Sequence, residues 1–382
     1  VSLTRPSDQV PVLTGFRALA AAMVFFGHAV DRRALGPLWP ITYGWTGVNL
    51  FFALSGFLFT RLYFDRFAAG AVSLRTYFLK RAFRVLPLTW FLVFASYAAH
   101  PHYSAADVLT HLTLTQVYFA EYRFSINPPM WTLCVEESFY LLVPPLFVAL
   151  GAVERARLAA SVGRRLLVTL IALAAFSQAC TGVALNLQLV DHALSGEWKD
   201  FYWVMTVFGR FGDFGFGIAA GLVALRAPDS RALRSRLGAT LTLAAGVALW
   251  ACASAWMQSR GGVNAAGSHA LFHVVSKLHG AGGALMILGL YNGAPGAGIL
   301  STRAAVYAGK ISFALYLLQY ARLDARDTVT DVVARAVRGV IHREALAALA
   351  IYLLVSAVAA ALHHLVEEPA RKRLGARFIA AA

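Results

Sequence analysis

Arg17 and His28 stand in one apolar stretch, Leu13–Val30, of a chain that otherwise keeps charge out of such stretches. An ionisable side chain within a bilayer is costly and marks a site of function by default. At about 1.5 Å of helical rise per residue the two lie about 16 Å apart, roughly half the hydrocarbon thickness. A cation near one face and a titratable imidazole beyond the midplane point to chemistry that reaches across a membrane.

Further along, Trp131-Thr132-Leu133-Cys134-Val135-Glu136-Glu137 opens another apolar stretch with two carboxylates. If that stretch runs opposite to the first, Glu136 and Glu137 reach about the depth of His28. An imidazole can exchange a proton near neutral pH, and a carboxylate can orient it and stabilise its cation. Asp31, one turn beyond His28, is a competing partner on the same helix face. The bland alternatives are a histidine bonded to a backbone carbonyl and one glutamate facing outer water. Arg81 and Arg84 sit three apart, on one helix face at the opposite boundary. Such a pair suits a phosphorylated ligand held bidentately, though charge alone favours a simple membrane anchor. Ser55-Gly56 reads as a close helix contact. Arg210 and Asp213 read as an intramembrane ion pair, structural or functional. Cys134, Cys180 and Cys252 read as inert thiols. No metal site and no permanently bound cofactor are expected.

These residues need a scaffold, and composition names its class. The 382 residues are 59% hydrophobic and 14% charged, with a mean hydropathy of +0.62, where soluble domains carry about 25% charge. The apolar runs are too long for barrel strands, so the expected fold is an all-α polytopic membrane bundle. Spans are expected near residues 12–30, 43–62, 84–99, 130–151, 165–189, 201–225, 238–257, 270–291, 304–321 and 345–366. Asp107–Phe119 is too short to cross and is read as interfacial or re-entrant. The first run is read as a retained helix, not a signal peptide, because Arg17 and His28 lie at or within it. A single transmembrane domain over residues 1–382, with no appended soluble domain, is expected.

The net charge of +15 does not call for nucleic acid, because the basic residues sit in alternate short loops. With ten spans, the clusters at 61–84, 155–165, 226–236 and 371–377 fall on one side. By the positive-inside rule that side is the cytoplasm, and both termini lie there. The basic loop 322–344 falls outside and is read as an amphipathic surface helix.

Leu13-Thr14-Gly15-Phe16-Arg17, continuing to His28, resembles the opening of the membrane-bound acyltransferase family 3. Phe52-Ala53-Leu54-Ser55-Gly56-Phe57, Arg81-Ala82-Phe83-Arg84 with its following Pro87, and Trp131-Thr132-Leu133 continuing through Glu136 to Phe139-Tyr140 resemble further motifs of that family in order. Ile311-Ser312-Phe313-Ala314-Leu315-Tyr316-Leu317 and Val366-Glu367-Glu368-Pro369 resemble its closing elements. Thr132 and Gln319 depart from the residues the family prefers, Ser and His.

The resemblance implies O-acyl transfer from acyl-CoA, often acetyl-CoA, to a hydroxyl of a glycan or similar acceptor at the bacterial cytoplasmic membrane. Under it, Arg17, Arg81 and Arg84 meet the donor phosphates, and His28 acts as general base or acyl carrier oriented by Glu136. Trp131 stacks on a sugar or belongs to an interfacial belt, with Asp31, Ser55, Gly56, Glu137, Tyr140, Arg210 and Asp213 as acceptor-side or structural support. A proton-coupled transporter with a His28–Glu136–Arg210 relay is the main alternative; a lipid-linked glycosyltransferase is disfavoured by a short, acid-poor first loop.

Overall fold

The computed structural model describes residues 10–29, 44–156, 161–195, 203–260, 268–322 and 327–380. Among these the chain is helical throughout, with one isolated bridge between Arg322 and Thr328 in place of any strand. The helices at the ten expected positions are α1 (Pro11–Ala29), α2 (Thr46–Ala68), α3 (Leu74–Ala99), α5 (Trp131–Arg155), α6 (Val162–Ser195), α7 (Val207–Arg226), α9 (Arg236–Ser259), α10 (Ser268–Tyr291), α12 (Arg303–Leu318) and α14 (Glu344–Leu362). Between them lie the short α4 (Ala105–Leu112), α8 (Arg231–Arg234), α11 (Ala297–Leu300) and α13 (Val329–Arg338), and α15 (Glu368–Ala380) closes the chain.

Nine of the described helical stretches are long and apolar enough to cross a bilayer, so the protein is an integral, multi-pass membrane protein. The tenth expected span, α12, has 16 residues. Its rise of about 24 Å falls short of a roughly 30 Å hydrocarbon core. The expected short segment forms α4 and a single 3₁₀ turn, Gln116–Tyr118. The outer loop contains an amphipathic helix, α13, opened by a reciprocal Thr328–Asp331 capping box. One boundary differs: α3 begins ten residues before the expected span, capped by the Ser73 hydroxyl on the Thr76 amide. Arg81 and Arg84 therefore lie on a continuous helix, as their reading on one helix face requires.

Arg226 fixes how three helix ends meet. Its guanidinium grips Glu154 at 2.6 Å and Asp65 at 2.5 Å. The C-terminal ends of α2, α5 and α7 thus share one side, as alternating spans require. Without a hydrophobic drive between helices in lipid, close packing depends on small residues. A methyl at Gly56 would collide with the Phe214 carbonyl oxygen, and one at Gly217 with that of Ala53. The backbones of α2 and α7 are in contact there. Aromatic rings fill the space beside them: Phe139 stacks on Phe214 at 3.9 Å and Phe214 on Phe52 at 4.5 Å.

Candidate active site

Glu136 lies five residues beyond the start of α5, on the face turned toward α2. Its Oε1 accepts a hydrogen bond from Ser55 Oγ at 2.9 Å and a short one from the Tyr140 hydroxyl. Ser55 comes from α2, held close by the neighbouring Gly56 contact. Tyr140 follows Glu136 by one helical turn, so the i,i+4 geometry aims its hydroxyl back at the carboxylate. Two donors fix one oxygen and leave the other free for a ligand.

That carboxylate faces a cavity of about 70 Å³, walled by α1, α2, α3, α5 and α12. Its polar lining is Arg17, Ser55, Arg84, Thr132, Glu136, Tyr140, Ser312 and Tyr316, and Phe51, Phe52 and Phe313 supply much of the rest. The volume holds a few waters or a short acyl group, not a coenzyme. Arg84, Glu136, Tyr140 and Glu367 all lie within electrostatic reach of Arg17. Two cations and one carboxylate therefore line a small, largely apolar chamber, where low polarisability strengthens each interaction.

Of the two arginines expected to act together, only Arg84 lines the cavity. Arg81 turns away and stacks over rings, its guanidinium 5.0 Å from Phe59 and 5.7 Å from Tyr140. Its contact with the site runs through Tyr140 as a cation–π interaction.

His28 is placed apart from this chamber. It sits exposed at the last turn of α1 and is absent from the cavity lining. Its ring meets Tyr320 edge-on at 4.9 Å and lies beside the Gln319 side chain. Gln319 is buried and donates to the Tyr316 carbonyl at 3.0 Å. Gln319 and Tyr316 thus form a step between the imidazole and the cavity wall. Thr132 Oγ1 lies 3.0 Å from the Tyr316 hydroxyl, so the threonine presents the same hydroxyl that a serine would. Asp31 falls outside the described residues.

Arg210 and Asp213 belong to a separate polar network joining α2, α7 and α10. Arg210 lies 3.5 Å from Asp213 and 2.5 Å from Ser276 Oγ, while Asn49 donates to Asp213 at 3.0 Å. The Arg210 guanidinium also rests 5.4 Å from the Trp131 ring. This network braces Trp131 from behind the cavity. Glu137 points elsewhere, with a buried Oε1 that finds no hydrogen-bond partner. The thiol of Cys134 is buried and directed at the Met130 carbonyl, as an inert packing residue would be.

Tyr316 and Ser312 are functional candidates that spacing arguments on charged residues pass over. Their signal is the i,i+4 pairing of two hydroxyls on one face of α12.

The Acyltransferase domain family matches residues 10–365. A Staphylococcus aureus (strain COL) protein named "Putative O-acetyltransferase" is 26% identical over 158 residues, 37% of this chain and 25% of that relative. A Bacillus subtilis (strain 168) protein named "Putative peptidoglycan O-acetyltransferase" is 27% identical over 178 residues, 41% of this chain and 27% of its own length. A "Putative acetyltransferase" of Acidianus two-tailed virus is 31% identical over 147 residues, 37% of this chain and 42% of its own length. The aligned stretch thus covers about a quarter of the bacterial relatives' length. No solved structure matches the chain. With nearly its whole described length matched, and with the arginine, serine and glutamate motifs gathered around one intramembrane cavity, this chain belongs to the acyltransferase domain family.

Proposed function

We propose that the protein is an integral-membrane O-acyltransferase, moving an acyl group, acetyl in the simplest case, from acyl-CoA to a hydroxyl of a cell-envelope glycan. The observation that carries this reading is the small chamber in which Glu136, fixed by Ser55 and Tyr140, faces Arg17 and Arg84. The guanidinium groups meet the anionic donor, and the narrow arm of the coenzyme threads the thioester inward. The acceptor oxygen then attacks the thioester carbonyl. The C–O bond forms, the C–S bond breaks, and coenzyme A leaves as a thiolate that takes up the proton lost by the hydroxyl.

His28, on the acceptor side of this path, is the base that takes the hydroxyl proton and hands it to the leaving thiolate. Glu136 lies in the chamber, apart from the imidazole, and its charge steadies Arg17 for the donor. The name of the Bacillus subtilis relative supports a glycan acceptor, and the multi-pass fold supports a bacterial cytoplasmic membrane as its seat. The test uses purified protein in proteoliposomes with radiolabelled acetyl-CoA and a soluble glycan acceptor. Label is expected on the acceptor, dependent on Glu136; a protein that neither binds nor consumes the donor would overturn the assignment.

A further inference from the structure

At the end of α14 the helix departs from its regular pitch. His363–Glu367 forms a single π turn before α15 resumes at Glu368. Such turns insert a residue into the helical register and occur often at functional sites. In a regular α-helix, residues five apart lie about 140° round the axis from one another. A π turn, bonded i to i+5, brings them onto one face. Here it brings Glu368 under both His363 and His364. One donor atom from each of the three lies within 4.8 Å of the others.

The surroundings suit a cation as well as the donors do. His363 Nδ1 lies 2.8 Å from Glu367 Oε2, and His364 Nδ1 lies 3.2 Å from Glu368 Oε2. Two imidazoles and the Glu368 carboxylate therefore converge from one and a half turns of chain. His364 Nε2 sits 3.1 Å from the Tyr307 hydroxyl of α12. That contact can receive the proton on Nε2 when Nδ1 binds a metal, the outer-shell support that ligating histidines usually have. His364 is half exposed, which leaves an entry path. The ammonium of Lys372, 2.7 Å from Glu368, now holds the place of a cation and is itself largely exposed.

We propose that His363, His364 and Glu368 form a binding site for a divalent transition metal of the zinc type. Two imidazoles and one carboxylate match that class of ion, which takes the same donors in sites that keep a fourth position open. Binding moves the imidazole proton of His364 from Nδ1 to Nε2 and releases Lys372 to solvent. The site lies where α14 meets α15, and α15 packs on α3 through the Phe83–Phe378 ring stack at 5.7 Å. A metal there would brace the helix that carries Arg84. This inference stands independently of the acyl-transfer reading.

The test titrates Co²⁺, as a spectroscopic stand-in for Zn²⁺, into detergent-purified, tag-free full-length protein at neutral pH. One equivalent is expected to bind with visible ligand-field bands, displaced by Zn²⁺. Glu368→Gln and His364→Ala each weaken binding by about tenfold or more, and Lys372→Ala tightens it because the competing ammonium is gone. His102→Ala, remote from the site, leaves it unchanged. Absence of saturable binding, or binding indifferent to both Glu368→Gln and His364→Ala, would overturn the proposal. Both altered side chains are partly exposed, and retained elution as a single species confirms that each variant is folded.

Discussion

Tyr140 donates its phenolic proton to the same oxygen of Glu136 that Ser55 reaches from the neighbouring helix. The carboxylate is thereby held from two elements, α5 and α2, with its second oxygen turned to the cavity. Tyr140→Phe removes one of two donors while keeping the ring, so the turnover number is expected to fall by about tenfold and the donor KM to stay near its wild-type value. Glu136→Gln removes the charge itself and is expected to cost about 10²–10³-fold in turnover, the usual range for loss of one preorganised electrostatic contact. Steady-state kinetics on both variants check this pair.

Arg81 and Arg84 separate into two roles despite their shared motif. Arg84 lines the chamber, whereas Arg81 stacks on Phe59 and Tyr140. Arg84→Ala is expected to weaken donor binding by about tenfold, in line with one charge-assisted contact of about 1.5 kcal/mol. Arg81→Ala is expected to lower turnover with donor affinity nearly unchanged, and Arg81→Lys to restore part of it through a weaker cation–π contact. Equal losses of donor affinity in the two alanine variants would return Arg81 to the donor site.

The α2–α7 contact predicts a packing failure with no charge involved. Gly217→Ala forces a methyl into the Ala53 carbonyl, and overpacking of this kind costs about 1–3 kcal/mol. A lowered thermal midpoint in detergent is expected, while Gly182→Ala, where a methyl meets nothing, leaves the midpoint unchanged. Fluorescence-detected thermal unfolding distinguishes them.

The segment around α4 is expected to loosen in acid. His111 is buried in α4, with Nδ1 3.2 Å from Asp107, and burial holds its pKa below the ordinary imidazole value while Asp107 pulls the other way. The unfolded loop binds the proton at about pH 6.5. The ordered loop, binding it less readily, is stable above that pH and loses stability as the pH falls below it. Amide exchange across residues 105–125, corrected for intrinsic rate, should quicken between about pH 7.5 and pH 5.5. His111→Gln should abolish the difference.

Hydropathy and loop charge made the helices legible before any coordinates, because both follow directly from the cost of exposing polar backbone and charge to lipid. The same logic placed Asp107–Phe119 outside the set of spans. The early start of α3 is not legible this way, since a cluster of basic residues such as Arg75 and Lys80 counts as loop by charge yet continues the helix. Among site residues, Arg17, Arg84, Ser55, Glu136 and Tyr140 do gather around one cavity. The expected adjacency of His28 and Glu136 rests on depth alone, and depth leaves the direction of a side chain around its helix open. His28 accordingly faces Tyr320 and Gln319, not the carboxylate. Arg210 and Asp213 share the membrane interior with the cavity but lie behind α2, a lateral relation that a one-dimensional pattern does not contain. His363 and Glu368 escape notice because regular helical spacing puts them on different faces; only the π turn unites them.

The central claim is that the acyl carbon is delivered to the Glu136 chamber. An acyl-CoA analogue carrying a small photoreactive diazirine in its acyl chain tests it most directly, with labelled peptides identified by mass spectrometry after irradiation in proteoliposomes. The account predicts label on the peptides holding Ser55, Thr132–Tyr140 and Ser312–Tyr316, suppressed by excess acetyl-CoA and by Arg84→Ala. Label confined to other helices, or insensitive to excess acetyl-CoA, would contradict it.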